Sequence, residues 1–140
     1  MTKDVTVTIC GRQHDIGDEP VIVSLPGTYY HKNEKHYVLY EELLDDGGQL
    51  IKNRVKFNDG FFEMTRKGAV SSTMLFKQAE KTTGRYNTGA GVVFTEVDTH
   101  NMEISETESM LQARITYALS MNGQFVSECE VDFKVMAQED

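Results

Sequence analysis

The chain has 140 residues, 39% of them hydrophobic and 26% charged, and its 22 acidic against 14 basic side chains leave a net charge of -8. This length fills one domain, residues 1–140, and buries roughly two-thirds of the surface exposed by the unfolded chain, so folding requires neither a metal nor a disulfide. Nucleic-acid binding runs on clustered Lys and Arg, and anionic membranes attract the same residues; an acidic chain without a basic run argues against both partners.

The N-terminal MTKDVTVTIC carries polar residues through its first alternating run and lacks the apolar core of a signal peptide. No segment approaches the ~20 apolar residues that a membrane span needs. Together these predict a cytoplasmic protein. Val5, Val7 and Ile9 alternate with Thr6 and Thr8 as in a half-buried strand. Val21, Val23 and Leu25 begin a second, which passes Pro26-Gly27 into Tyr29-Tyr30; the proline predicts a bulge or an edge position. HKNEKH reads as a polar hairpin loop before Tyr37. Leu50 to Phe57 and Phe61 to Arg66 flank Asn58-Asp59-Gly60, and Asn122-Gly123 separates ITYALSM from QFVSECEVDFKVM. Both dipeptides predict tight hairpins with positive φ at the glycine.

TRKGAVSSTMLFK, residues 65–77, holds the least ordinary residues. Arg66 is in phase with Phe62 and Met64, and Ser72 with Val70, Met74 and Phe76, with Gly68 as a turn or sharp bend between the runs. Phase therefore predicts that Arg66 and Ser72 both face inward. A guanidinium cannot shed its charge, so Arg66 needs a carboxylate, carbonyls, water or an anionic ligand; Glu41 and Glu63 are the candidate partners. Ser105-Glu-Thr-Glu108 resembles a capping box and leaves room for one helical turn, but Leu111 through Met121 alternates strictly and reads as a strand. Cys10 is out of phase with Val5, Val7 and Ile9, whereas Cys129 is in phase with Phe125, Val131 and Phe133. Side chains on opposite faces predict two free thiols.

About ten strand segments joined by short turns, without intervening helices, exclude a parallel βαβ architecture. An antiparallel meander of this length removes its edges by closing. The fold expected is all-β, a single up-and-down barrel of about 8–10 strands, with a two-sheet β-sandwich as the alternative.

The ordered set Gly27-x-Tyr29-Tyr30, Tyr37-x-x-Tyr40-Glu41, Arg66-x-Gly68-Ala69, Met74-x-Phe76, Tyr86-x-Thr88-x-x-Gly91, Thr99, Tyr117-x-Leu119-x-x-Asn122 and Ser127 resembles the YwiB-like family, small bacterial β-barrel proteins of unknown function. The likeness covers nearly the whole chain. It implies a calycin-like (lipocalin-like) barrel and brings no activity with it.

A barrel of this size fills with side chains or holds one small ligand. The candidate interior is apolar with a few polar groups, and the candidate ligand-binding residues are Arg66, Ser72, Met74, Tyr86, Thr88, Tyr117 and Ser127. Taken singly, the hydroxyls are more ordinary as groups bonded to a neighbour or to buried water. His14, His31, His36 and His100 lie in or beside predicted loops and read as solvated. Thr88-Gly-Ala-Gly91 lacks the Lys-Ser/Thr of a phosphate loop, and Ser71-Ser72 lacks the elbow and a partner base. Glu41-Glu42 and Asp45-Asp46 fit no EF-hand, and no Cys/His spacing suits zinc. With no nucleophile–base or metal set, catalysis ranks third and no cofactor is expected. First stands a barrel binding a small apolar or weakly acidic molecule. Second stands a non-enzymatic interaction module using an outer strand face or the 29–40 hairpin.

Overall fold

The computed structural model describes residues 3–13, 17–43, 50–68, 71–87 and 90–138, with the backbone alone for 17–20. Ten strands follow one another: β1 (Asp4–Gln13), β2 (Gly17–Lys32), β3 (Lys35–Leu43), β4 (Leu50–Asn58), β5 (Phe61–Gly68), β6 (Ser71–Phe76), β7 (Lys81–Asn87), β8 (Val92–Glu106), β9 (Met110–Met121) and β10 (Gln124–Ala137). Each pairs antiparallel with the next, and β1 pairs with β10, so the sheet closes as an up-and-down barrel of the calycin kind. Closure leaves no sandwich. The 105–110 segment forms no helix: β8 runs to Glu106 and a short turn leads into β9.

One end of the barrel is plugged. Phe57, Phe62, Phe76 and Phe133 are fully or almost fully buried, with Val5, Val38, Val55, Leu111 and Val135 around them. β5 and β10 are five places apart in a ring of ten, yet the Phe62 and Phe133 centroids are 5.2 Å apart at 73°. The plug therefore meets across the lumen.

His36 belongs to this end and is not solvated. Only Asn33 and Glu34 form the turn, both at positive φ (53° and 63°), as a two-residue type I′ hairpin requires. The strands consequently extend further into HKNEKH than its polarity suggests, and His36 falls in phase with Val38 and Tyr40. It is 8% exposed, shares a 2.8 Å hydrogen bond between Nδ1 and the Tyr29 hydroxyl, and packs on Phe57. Burial holds its imidazole below the ordinary histidine range, with Glu106, 3.7 Å from Nε2, acting in the opposite sense. His100 lies against Glu128 at 3.0 Å, and His14 is outside the described residues.

Two further expectations need correction. Asn122 and Gly123 take positive φ as expected (49° and 82°), but Gly60 does not. There the Asn58 Oδ1 accepts the Gly60 N–H at 2.8 Å, an Asx turn that closes the hairpin without left-handed backbone. Phe125 points outward and is 59% exposed. The β9–β10 register slips between Phe125 and Ser127, so phase carried back from Cys129 fails beyond Ser127. Cys10 and Cys129 are free, the first half-buried and the second buried. Pro26 sits where the β2–β3 ladder, Gly27 to Lys32, gives out, an edge-like position within a closed barrel.

Candidate functional site

The other end is built from different side chains. On the inward positions of this half the sequence places Gly11, Ser72, Met64, Met74 and Met121 rather than phenylalanines. Small and unbranched residues leave room, and a cavity of about 420 Å³ results. Ile9, Val21, Val23 and Leu119 add to its apolar wall, and Tyr40, Asn53, Thr95 and Tyr117 bring polar atoms. Tyr117 also seals the floor, meeting Phe76 edge-on with centroids 4.8 Å apart.

Arg66 faces this cavity, and its partner is Glu42. Arg66 Nη2 donates to Glu42 Oε1 at 3.1 Å, and Asn53 Nδ2 donates to the same oxygen at 3.1 Å. Neither expected carboxylate takes part. Glu41 is exposed and lies opposite Lys52, and Glu63 is 3.9 Å from Lys56. The reason is strand phase: His36, Val38, Tyr40 and Glu42 share the inner face of β3, which Glu41 cannot reach. Burial, then the Glu42 charge, raises the pKa of the Tyr40 hydroxyl, and Arg66 opposes this; burial and Cys129 raise that of Tyr117. Both hydroxyls keep their protons at neutral pH; that of Tyr117 is hydrogen-bonded to Cys129, and that of Tyr40 stands beside the cavity.

Arg66→Met should cost stability by leaving Glu42 with Asn53 alone. A fully buried pair broken this way costs about 3–5 kcal/mol. Here each side chain of the pair keeps 29% of its exposure, so water replaces part of the interaction. The expected loss is about 1–2 kcal/mol. Arg66→Met with Glu42→Gln should recover most of it. Urea titrations of the two variants decide the matter, and a single variant as stable as the parent would show that the pair contributes nothing.

Of the residues singled out from the sequence, Arg66, Ser72, Met74, Tyr86 and Tyr117 line the cavity together. Arg66 and Ser72 are direct partners across β5 and β6, as a turn after Gly68 requires. Ser127 does not line it: it is fully buried and its Oγ–H donates to the Glu128 carbonyl at 3.0 Å, a hydroxyl bonded to its own backbone. Thr88 and Val70 lie outside the described residues. Glu42, Asn53 and Thr95 were missed. Alternation with Tyr40, with Val55 and Phe57, and with Val97 marks each of them. Thr95 is 6% exposed, and its Oγ1 is buried without a hydrogen-bond partner, an arrangement that costs about 1–3 kcal/mol unless something bonds it.

Among the described residues no three His, Cys, Asp or Glu side chains gather as a metal site. No helix among them is long and apolar enough to cross a membrane. A family model described as "Domain of unknown function (DUF1934)" matches residues 7–133. The crystal structure of the ywiB protein from Bacillus subtilis superposes with a TM-score of 0.83 at 21% identity, covering 98% of this chain and 93% of that one; at this identity the likeness speaks for the fold. No curated protein matches.

Proposed function

The chain belongs to the DUF1934 family, a domain of unknown function, and from the barrel this family shares we propose that it binds a small, largely apolar molecule with a hydrogen-bonding or weakly acidic end. One observation carries the reading: one half of the barrel is packed with aromatic rings, while the other holds a cavity of about 420 Å³, open at its mouth, with a mainly apolar wall and a few polar groups. That volume lies within the range of about 300–1,000 Å³ usual for small-molecule sites, and the composition is theirs too. The protonated Tyr40 hydroxyl beside the cavity supplies a hydrogen bond to a guest. The Arg66–Glu42 pair neutralises itself, so the guest needs no full charge at that point. Ser72, Met74 and Tyr86 complete the proposed contacts. We place the protein in the cytoplasm and expect neither nucleic acid nor membrane as partner.

Native mass spectrometry of the gently purified protein tests this. A co-purifying small molecule, or one-to-one uptake of an uncharged apolar probe that raises the melting temperature, is the result expected. An empty barrel that takes up no probe would refute it. A second reading is an interaction module, favoured by the outer face of the β2–β3 hairpin. There Tyr30 and Tyr37 stack in parallel with centroids 4.7 Å apart at 6°, and Tyr30 and Leu39 stay exposed. A bound protein lost on Tyr37→Ala, in place of a small molecule, would favour that reading.

A further inference from the structure

The ladder between β2 and β3 joins residues 27–32 to residues 35–40 and stops there. β2 nonetheless lies alongside β1 from Thr28 back to Val21, and β3 lies alongside β4 as far as Leu43. Residues 21–26 and 41–43 therefore have a ladder partner on one flank only. Among the described residues no other segment pairs with the second flank of either. Pro26, which has no N–H to donate, stands where the ladder ends. Exposure reports the same opening: Val21, Ile22 and Val23 are 69%, 64% and 36% exposed, so both faces of this part of β2 meet solvent.

An unpaired edge of extended backbone is a template for another strand. Edges that avoid such pairing carry lysines or are very short. Here Pro20 and Pro26 bracket Val-Ile-Val-Ser-Leu, an uncharged run rich in β-branched side chains and about 17 Å long. The seam also adjoins the cavity, which Val21 and Val23 line from one side and Tyr40 and Glu42 from the other. A strand bonded to β2 would turn alternate side chains toward this cavity and the others outward, beside the exposed Ile22 and Leu43. Apolar neighbours await both sets, and on the cavity side the charges of Arg66 and Glu42 already meet each other. The chemistry of the occupant follows: an extended main chain, apolar at alternate positions and without charge.

We propose that the edge at residues 21–25 takes up an extended, uncharged segment of a partner protein as an added strand, whose alternate apolar side chains enter the cavity. The free flank of β2 recognises the main chain, and the cavity selects the side chains. The second of these rests on the cavity as a ligand site; the first does not.

The probe is a heptapeptide, capped at both ends, in which serine alternates with valine, leucine and valine. Isothermal titration should show one-to-one binding, and a counterpart with alanine at the apolar positions should bind about tenfold or more weaker. Two isomers, N-methylated either on the serines or on the apolar residues, separate strand pairing from side-chain contact. Alternate N–H groups of a strand point to opposite flanks, so at least one isomer should lose about tenfold or more in affinity. Amide exchange within residues 21–25 should slow when the peptide binds. Full binding by both isomers, or protection confined to other strands, would overturn the added strand. Equal binding of the alanine peptide would overturn the entry of side chains into the cavity. A protein that takes up an uncharged apolar probe but no peptide at about 1 mM keeps the small-molecule reading and loses this inference; one that binds neither loses both. Self-association that Ile22→Lys abolishes would assign the edge to a second copy and overturn the proposal as well.

Discussion

Phe62→Ala should lower the free energy of unfolding by about 3–5 kcal/mol. Phe62 is fully buried, and its ring meets three others: Phe57 at 5.4 Å and Phe76 at 6.1 Å on the neighbouring strands, and Phe133 at 5.2 Å across the lumen. Ladder hydrogen bonds hold each strand to its neighbours, but only side chains join opposite walls. The Phe62–Phe133 contact is one of those joints, so its loss removes burial, ring–ring attraction and a brace at once. The surroundings cannot collapse to fill the space, because a closed barrel keeps its diameter, and a cavity that persists adds to the cost. Phe62→Leu, which keeps most of the volume, should cost only about 1–1.5 kcal/mol. A urea midpoint shifted at constant slope measures both. A loss below about 1 kcal/mol for Phe62→Ala would mean that the rings are not the plug.

Most of the fold follows from two-residue alternation. That period told which face is buried on most strands, though Val21 and Val23 at the start of β2 stay exposed like Ile22 between them, and, with a turn at Gly68, it brought Arg66 and Ser72 onto one inner wall, as the register shows. Where the period is interrupted, it misleads. The slip between Phe125 and Ser127 inverts Phe125, and nothing in the residues themselves announces a bulge. Polarity misled as well: HKNEKH is hydrophilic enough for a loop, but Asn33 and Glu34 both accept positive φ, and that tight turn leaves His36 on the ladder. The partner of Arg66 was within reach of phase, since Glu42 continues the series His36, Val38, Tyr40, but choosing Glu41 set that rule aside. The division into a packed half and a hollow half was less accessible. It depends on which inward residues share a level of the barrel, and levels follow from the register between strands far apart in sequence.

Gly84→Ala should destabilise the protein by about 1–3 kcal/mol through steric conflict alone. Its φ lies outside the left-handed region, so an L-residue meets no backbone penalty there. The obstacle is across the sheet: a Cβ at Gly84 would stand 2.2 Å from the Thr73 carbonyl oxygen and 3.1 Å from Thr95 Oγ1. A main-chain oxygen cannot rotate aside as a side chain can, so β6 and β7 would have to separate. They are joined by only three register pairs, from Ser71–Asn87 to Thr73–Arg85, immediately beside the intrusion. Gly11→Ala is the matched comparison. It faces the same cavity, has ordinary φ, and its added Cβ would meet nothing within 4 Å. There the substitution should be neutral or stabilising by about 0.4–1 kcal/mol, because it restricts only the unfolded chain. The two variants make the same chemical change with opposite expected signs. Separation of β6 from β7 would also displace Ser72 and Tyr86, which face each other across that ladder and line the cavity. Gly84→Ala should therefore weaken uptake of an apolar probe even at temperatures where it stays folded. A Gly84→Ala protein as stable as Gly11→Ala would show that β6 and β7 do not approach as closely as this geometry requires.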